Sequence, residues 1–305
     1  MKINYDAYIL DVAILTEKRY LDPKEKNWYT DNIVTEENLI KDELKKLNIN
    51  AQRVAWDKNG SLINCKCVLF RTTWNYFDKI DSFLSFLKKI NSKAILINPY
   101  DQIIWNLNKK YLVELSKNGI NIPPTEIIKR GDGSVSLTDI CCRNRWGDVV
   151  IKPCVSAAAW NTHYIPQKET SNFEDVFSRL VRTQDMIVQE FQKTIKTFGE
   201  ISLVMIGGGY THAVIKNAKK GDFRVQDDFG GSVKKHAATK EQIKFAVNVL
   251  GALDFNPLYA RVDLILDNHN NLALSELELI EPELWFRLNS GSALRLATEI
   301  KRAYF

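Results

Sequence analysis

Near its C-terminal end the chain reads Tyr259-Ala260-Arg261-Val262-Asp263, then Leu274-Ser275-Glu276-Leu277-Glu278-Leu279-Ile280-Glu281-Pro282. Both stretches read as strands, 258–266 and 271–280, joined by the turn Asp267-Asn268-His269-Asn270-Asn271. Side chains of a strand alternate between two faces, so Glu276, Glu278 and, if the strand continues, Ile280 share one face. Arg261 and Asp263 share a face of their own strand, while Leu277 and Leu279 require a core on the opposite side. The hairpin thus gathers three carboxylates and an arginine. Like charges on neighbouring strands are unfavourable unless a cation compensates them. Two readings stay open on these residues alone. One is a solvent-facing hairpin decorated with charge. The other is a site for Mg²⁺, which one or two carboxylates plus substrate phosphates commonly hold, with Arg261 neutralising phosphate charge.

The rest of the 305 residues bounds the fold around that hairpin. Residues 7–15 form an apolar run suited to a buried strand, and 16–30 read as a polar loop holding Trp28 and Tyr29. Leu39, Ile40, Leu44 and Leu47 give 35–48 helical periodicity; 51–56, 66–71 and 94–97 read as strands. Asp78 is placed to cap a helix whose inner face is Phe83, Leu84, Phe86, Leu87 and Ile90. This order implies a parallel α/β unit over 1–98. Beyond it come a helix over 106–117 stopped by Asn118-Gly119, an extended linker Ile122-Pro123-Pro124-Thr125, a strand over 148–152 and a helix from Phe173 to Arg182. Residues 186–236 read as short antiparallel strands, Thr239 opens a helix to Leu250, and a last helix runs from about Ser290 to Ala303. The division expected is 1–98, 99–185 and 186–305.

Composition narrows the function classes. Lys plus Arg number 42 against 37 Asp plus Glu, and a net charge of +5 is too small to argue for nucleic acid. Five cysteines spaced CxC and CC, with one more alone, fit neither a disulfide framework nor a zinc site. The four histidines form no cluster. No apolar run reaches the roughly 18 residues of a membrane span, and the first residues lack the apolar core of a secretory signal. The expectation is a cytoplasmic protein with reduced thiols and no membrane partner.

Arg-x-Asp, a Glu thirteen residues later, and an acidic residue two further on resemble the metal-binding end of the ATP-grasp ligases. That resemblance implies that Arg261 contacts nucleotide phosphate and that Asp263, Glu276 and Glu278 hold two Mg²⁺ ions, with Mn²⁺ as a substitute. Glu278 stands where Asn is frequent. Asn108-Lys109-Lys110-Tyr111-Leu112 and Val150-Ile151-Lys152-Pro153 resemble the two ATP-lysine regions, implying roles for Lys109 and Lys152. Met186-Ile187-Val188-Gln189-Glu190-Phe191 is similar to the hinge strand that pairs with adenine, which assigns Gln189, Glu190 and Phe191; Glu200 falls where ribose is held. The loop after Lys152, Pro153 to Thr162, carries Ser156 and alanines where glycines are usual. Alanine restricts positive φ, so the loop's amide contacts are the main departure.

Phe70-Arg71-Thr72-Thr73-Trp74-Asn75-Tyr76 resembles the Arg-Ser/Thr-x-Trp-Asp-Tyr signature of a glutathione-synthetase-like branch that includes a D-cycloserine-forming cyclo-ligase. Ala55-Trp56-Asp57, Asn98-Pro99, Gly221-Asp222-Phe223-Arg224-Val225-Gln226 and Phe229-Gly230-Gly231-Ser232-Val233 fit the same branch. The resemblance implies an ATP-grasp fold, an N-terminal α/β domain followed by two α+β lobes that clasp ATP. Arg71, Thr72, Trp74 and Tyr76 would face a small amino-acid-like substrate, with Arg71 forking a carboxylate at a strand's C-terminal end. Arg224 and the Gly230-Gly231 turn would hold an acyl phosphate or carboxylate. For each, an anchoring or exposed-loop role stays open. The activity implied is ATP- and Mg²⁺-dependent joining of a carboxylate and an amine, between molecules or within one. The alternatives are an ATP-binding protein without turnover and a small-molecule kinase. Whether the chain forms a homo-oligomer is left open.

Overall fold

The computed structural model describes residues 9–58, 64–157, 160–219, 221–222, 224–225 and 230–305. The start of the expected strand 7–15, together with Ala158, Ala159, Phe223, Gln226 and Phe229, lies outside the described residues. Three sheets follow one another along the chain.

The first sheet contains β1 (Leu10–Thr16), β2 (Ala51–Ala55), β3 (Cys65–Thr72) and β4 (Ile95–Ile97), in the order β2-β1-β3-β4. All its neighbours are parallel. Successive side chains of the central strands feed opposite cores. Val12, Ile14, Cys67 and Leu69 pack with α2 (Trp28–Lys46), and Ala13, Leu15, Val68 and Phe70 with α3 (Ile80–Asn91). The expected polar loop 16–30 is instead helical at both ends of its length: α1 spans Lys18–Leu21, and α2 starts at Trp28 behind an Asn27–Thr30 capping box. Asp78 does not cap α3; it lies in a 3₁₀ turn, Trp74–Lys79, and α3 has no side-chain cap.

The expected helix 106–117 is two helices, α4 (Tyr100–Leu107) and α5 (Tyr111–Lys117). The break has a local cause. The Lys109 amide donates to the Cys154 carbonyl at 2.8 Å instead of continuing the helix. The second sheet is antiparallel in the order β5-β8-β6-β7: β5 (Thr125–Ile128), β6 (Val149–Pro153), β7 (His163–Ile165) and β8 (Met186–Glu190). Leu137 and Ile140 of α6 (Leu137–Asn144) and Phe177 and Val181 of α7 (Glu174–Thr183) cover it. β8 hydrogen-bonds to β5 and β6, so the middle sheet runs past the expected boundary at 185/186 to Glu190.

The third sheet, order β11-β10-β9-β12-β13, is antiparallel: β9 (Glu200–Ile206), β10 (Gly209–Asn217), β11 (Ser232–His236), β12 (Tyr259–Leu266) and β13 (Leu272–Glu278). Gly207 and Gly208 close the β9–β10 hairpin with φ of 59° and 74°, the positive-φ pair a two-residue turn requires. One face packs on α9 (Gly291–Tyr304), the other on α5 and α8 (Lys240–Gly251). The outer edge of β13 is covered by side chains. The Asn106 amide donates to the Leu277 carbonyl and accepts from the Leu279 amide, both at 2.8 Å. Asn98 donates to the Tyr259 and Leu279 carbonyls. Such pairing satisfies backbone groups an edge strand would leave open and fixes the carboxylate-bearing hairpin against the first sheet.

His212 ties the same region together. Its Nε2 lies 2.8 Å from the Leu284 carbonyl, so that nitrogen donates, and Nδ1 lies 3.0 Å from both Ser292 Oγ and Thr211 Oγ1. Burial depresses its pKa, against the opposing effect of the Leu284 carbonyl. A depressed native pKa means the unfolded chain binds the proton more tightly. The stability His212 contributes is therefore complete above the unfolded value of about 6.5 and is lost as pH falls through the depressed native value. Thermal melts between pH 5 and 7.5 are expected to show a fall in Tm toward acid that is smaller in His212→Gln.

Candidate active site

One cleft of about 280 Å³ lies between the three sheets, and the hairpin carboxylates line it. Their convergence depends on an irregularity. The β12–β13 register shifts between Asp263 and Leu264, so that Leu264 faces Leu274 but Asp263 faces Glu276 and Arg261 faces Glu278. Ser275 is the extra residue of this bulge. Its hydroxyl lies 2.7 Å from Glu200 Oε2 and 3.0 Å from the Asp263 carbonyl. The bulge leaves Leu274 and Leu277 in one core and brings Asp263, Glu276 and Glu278 to one face, with ligand atoms within 4.8 Å of one another.

Cations surround these three groups. Lys109, in the break between α4 and α5, lies 3.0 Å from Glu276 Oε1 and donates to the Ser156 carbonyl at 2.6 Å. Arg261 donates to Asp263 at 2.8 Å and also pairs with Glu278. Lys216, on β10, pairs with Glu200 and reaches Asp263 at 3.2 Å. Burial alone would raise the Asp263 carboxyl, but Arg261 and Lys216 outweigh it and hold it well below the usual range. For Glu278, burial and its carboxylate neighbours prevail over Arg261 and push it up to about 8. Lys152, on β6, makes no ion pair among the described residues, and burial lowers its pKa. This donor set, all oxygen and facing fixed cations, fits a hard divalent ion better than a soft one.

Of the other residues singled out by sequence, Ser156, Glu200, Trp74, Tyr76 and Arg224 line the same cleft. Arg224 is clamped by Asp222 at 2.8 Å. Gln189, Glu190, Phe191, Gly230 and Gly231 are not among its lining residues. Gln189 instead donates to Thr125 Oγ1 at 2.9 Å. Arg71 and Thr72 are not among the cleft's lining residues either. Arg71, 2% exposed, donates to Glu36 at 2.7 Å and to the Pro282 carbonyl; Thr72 bonds Thr16 and Glu37. Arg71 thus ties β3 and α2 to the segment after β13. Of the alanine-rich loop's described residues, Val155 and Ala157 pack on the first sheet's core, and the Trp160 ring lies tilted to Phe77 at 5.5 Å.

Lys216, Tyr29, Glu281, Glu283 and Trp285 also line the cleft and were not singled out by sequence reasoning. Trp285 has a φ of 48°, a conformation bulky side chains rarely adopt. Its ring lies 5.1 Å from the Arg261 guanidinium and 5.7 Å from Lys216 Nζ, so one indole supports two cations. Replacing Trp285 with Leu is expected to weaken ATP binding about tenfold, since buried cation–π contacts are worth roughly 1–2 kcal/mol. Trp285→Phe should stay within about threefold because it keeps a π face. Nucleotide titrations of both variants check this.

Comparison with known proteins agrees with the geometry. Residues 108–283, more than half the chain, match the RimK-like ATP-grasp domain, and residues 12–98 match the N-terminal domain of D-cycloserine synthetase DcsG. The cycloserine biosynthesis protein DcsG of Streptomyces lavendulae is 26% identical over 267 residues, covering 83% of this chain and 88% of that protein. The crystal structure of D-cycloserine synthetase DcsG superposes with a TM-score of 0.85 at 23% identity, covering 96% of this chain and 99% of that one. The ATP-grasp ligase PsnB, solved with a phosphomimetic variant of its minimal precursor, Mg and ADP, gives a TM-score of 0.61 at 12% identity over 95% of this chain and 99% of that one. The expected ATP-grasp fold, parallel α/β followed by antiparallel α+β sheets, is what the structure shows. No described helix is long and apolar enough to cross a membrane. The chain belongs to the RimK-like ATP-grasp family and is an ATP-dependent ligase of the kind that forms C–N bonds.

Proposed function

We propose that this ligase activates a small amino-acid-like carboxylate with ATP and then joins it to an amine. The observation that carries the reading is the set Asp263, Glu276 and Glu278 facing Lys109, Lys152, Lys216 and Arg261 in one cleft. Asp263, Glu276 and Glu278 would hold Mg²⁺, two ions in this reading, with Mn²⁺ as a substitute. Bound there, the metal supplies charge neutralisation and alignment of the β- and γ-phosphates. Lys152, the cation without an ion-pair partner among the described residues, is the chain's readiest phosphate ligand; Lys109 and Arg261 exchange carboxylate for phosphate contacts. Glu200 is assigned to ribose, Ser156 to the phosphate cover, and the Gln189-Glu190-Phe191 backbone to the adenine edge. We divide the chain accordingly near 98 and near 190, the middle and last sheets forming the two lobes around the nucleotide.

In the first step a substrate carboxylate oxygen bonds to the γ-phosphorus and the bond to ADP breaks. In the second an amine nitrogen bonds to the carbonyl carbon, phosphate leaves with its bonding electrons, and the amine proton is released. Arg224 and the Gly230-Gly231 turn are assigned to the acyl phosphate, and Trp74 and Tyr76 to the substrate. We assign Arg71 and Thr72 to shaping that pocket from behind, given their bonds to Glu36 and Glu37. The relative's role in cycloserine biosynthesis supports a serine-like skeleton and ring closure within one molecule. A cytoplasmic setting fits an ATP-consuming step. Screening ADP release over amino acids and amines, with mass analysis of products, tests the reading. An amide with ADP supports it. A stable phosphorylated product would select a kinase, and ATP binding without turnover a binding protein.

A further inference from the structure

The cleft carries carboxylates from Glu200, Asp263, Glu276, Glu278, Glu281 and Glu283. Five of them have a lysine or arginine partner. Glu281 has none among the described residues, although it is 8% exposed and opens onto the cleft. The polar group that most favours its ionised form is the Tyr76 hydroxyl. It also stands outside the group of three carboxylates close enough to share an ion. A buried carboxylate without an ion-pair partner is costly: Lys109 and Arg261 act on Glu281 only from beyond ion-pair distance, and burial pushes its carboxyl up to about 7, so a cation brought into the cleft would find a carboxylate not yet paired.

The surroundings of Glu281 are aromatic. Trp74 Nε1 donates to the Glu281 carbonyl at 2.9 Å, which fixes the backbone beneath the carboxyl. The Trp74 ring lies 6.1 Å from that of Tyr29, and Tyr76 is held by stacking on Phe83 at 4.9 Å. Tyr29, Trp74 and Tyr76 all line the cleft. A carboxylate beside electron-rich rings is the chemistry that recognises an ammonium group.

We propose that Glu281, with Tyr76, Trp74 and Tyr29 around it, forms the recognition site for the substrate's ammonium group. This rests on the reading of the cleft as a ligase site for amino-acid-like compounds and adds which residue selects for the amine. It makes Glu281 a specificity-determining residue, distinct from the carboxylates assigned to metal.

The test uses the full-length protein with ADP and Mg²⁺ and two probes, serine and glycerate, each as both enantiomers. They differ only in ammonium against hydroxyl. Calorimetry is expected to show one serine enantiomer binding at least about tenfold tighter than the matching glycerate, as a hydrogen bond to a charged group implies. Glu281→Gln should remove that preference, weakening serine about tenfold while leaving glycerate and ADP affinities unchanged. Glu281→Asp, which keeps the charge, should retain most of the preference and guards against a variant that folds poorly. Equal binding of serine and glycerate to the wild type, or no serine binding, overturns the proposal. So does equal weakening of both probes, or of ADP, in Glu281→Gln. ADP release that persists without amine preference would remove this inference alone; amine preference without any ADP release would remove the ligase reading and leave the ammonium site standing.

Discussion

ADP release by the Glu276→Gln variant is expected to fall by about 10²–10³-fold, the cost of losing one transition-state electrostatic contact in a dry site. Glu276 sits opposite Asp263 across the hairpin and 3.0 Å from Lys109. The amide keeps its shape but not its charge, so the proposed metal site would lose a ligand of full charge and Lys109 its countercharge. Two effects follow with opposite signs. Turnover collapses, while nucleotide binding without Mg²⁺ strengthens a few-fold because Lys109 is freed for phosphate. Lys109 keeps the Ser156 carbonyl, which limits the loss of stability. Coupled ADP-release assays and nucleotide titrations with and without Mg²⁺ separate these effects. Unchanged turnover would remove the metal assignment.

The outline of the molecule was legible because its strongest signals are local. Runs of buried β1 and β3 residues, alternating between two cores, announce a parallel sheet covered on both sides. The Thr239–Gln242 capping box announces α8. The α2 start was hidden because its box uses Asn27 and Thr30 rather than the common Glu or Gln partner, and its buried positions begin only at Ile33. The α4–α5 break was hidden for another reason. Nothing between Asn106 and Lys117 forbids a continuous helix; a hydrogen bond from Lys109 to Cys154, distant in sequence, decides it. Tertiary contacts of this kind override propensity.

The site divides the same way. Spacing pointed to Asp263, Glu276 and Glu278, but their shared face requires the Ser275 bulge, since strict alternation past Leu274 would set Asp263 opposite Ser275. Lys216 was missed through a similar shift. Counting outward from the Gly207-Gly208 turn puts Ile215 opposite Glu200, and the irregularity between Tyr210 and His212 moves Lys216 there. Arg71 shows what sequence position leaves out. Its place at the end of a parallel strand suggested ligand binding; Glu36, from a helix with no local sequence link to it, takes Nη2 of its guanidinium, while Nε and Nη1 find no hydrogen-bond partner among the described residues. Glu281 follows the carboxylate-bearing hairpin in sequence, but its lack of an ion-pair partner among the described residues and its place outside the group of three carboxylates separate it from its acidic neighbours.

Replacing Lys216 with Met is expected to destabilise the protein by about 3–5 kcal/mol, the cost of removing one partner from a buried ionic cluster. Lys216 is 4% exposed and neutralises both Glu200 and Asp263. Without it, among the described residues, Asp263 keeps only Arg261 as an ion-pair partner, which Glu278 also engages, and Glu200 keeps the Ser275 hydroxyl. Mg²⁺ should recover part of the loss in melting temperature, because the freed carboxylates then bind a cation more strongly, and the recovery should exceed that of the wild type. Lys216→Arg should restore most of the stability without metal. A purely structural lysine and one that also faces phosphate are separated by adding Glu200→Gln to Lys216→Met. Removing both members of the pair should regain much of the stability, as paired removal does for buried ion pairs, while ADP release stays at least about tenfold below that of Glu200→Gln alone, the scale of one charge-assisted hydrogen bond. Recovery of turnover together with stability would show that Lys216 serves the fold and not the phosphate.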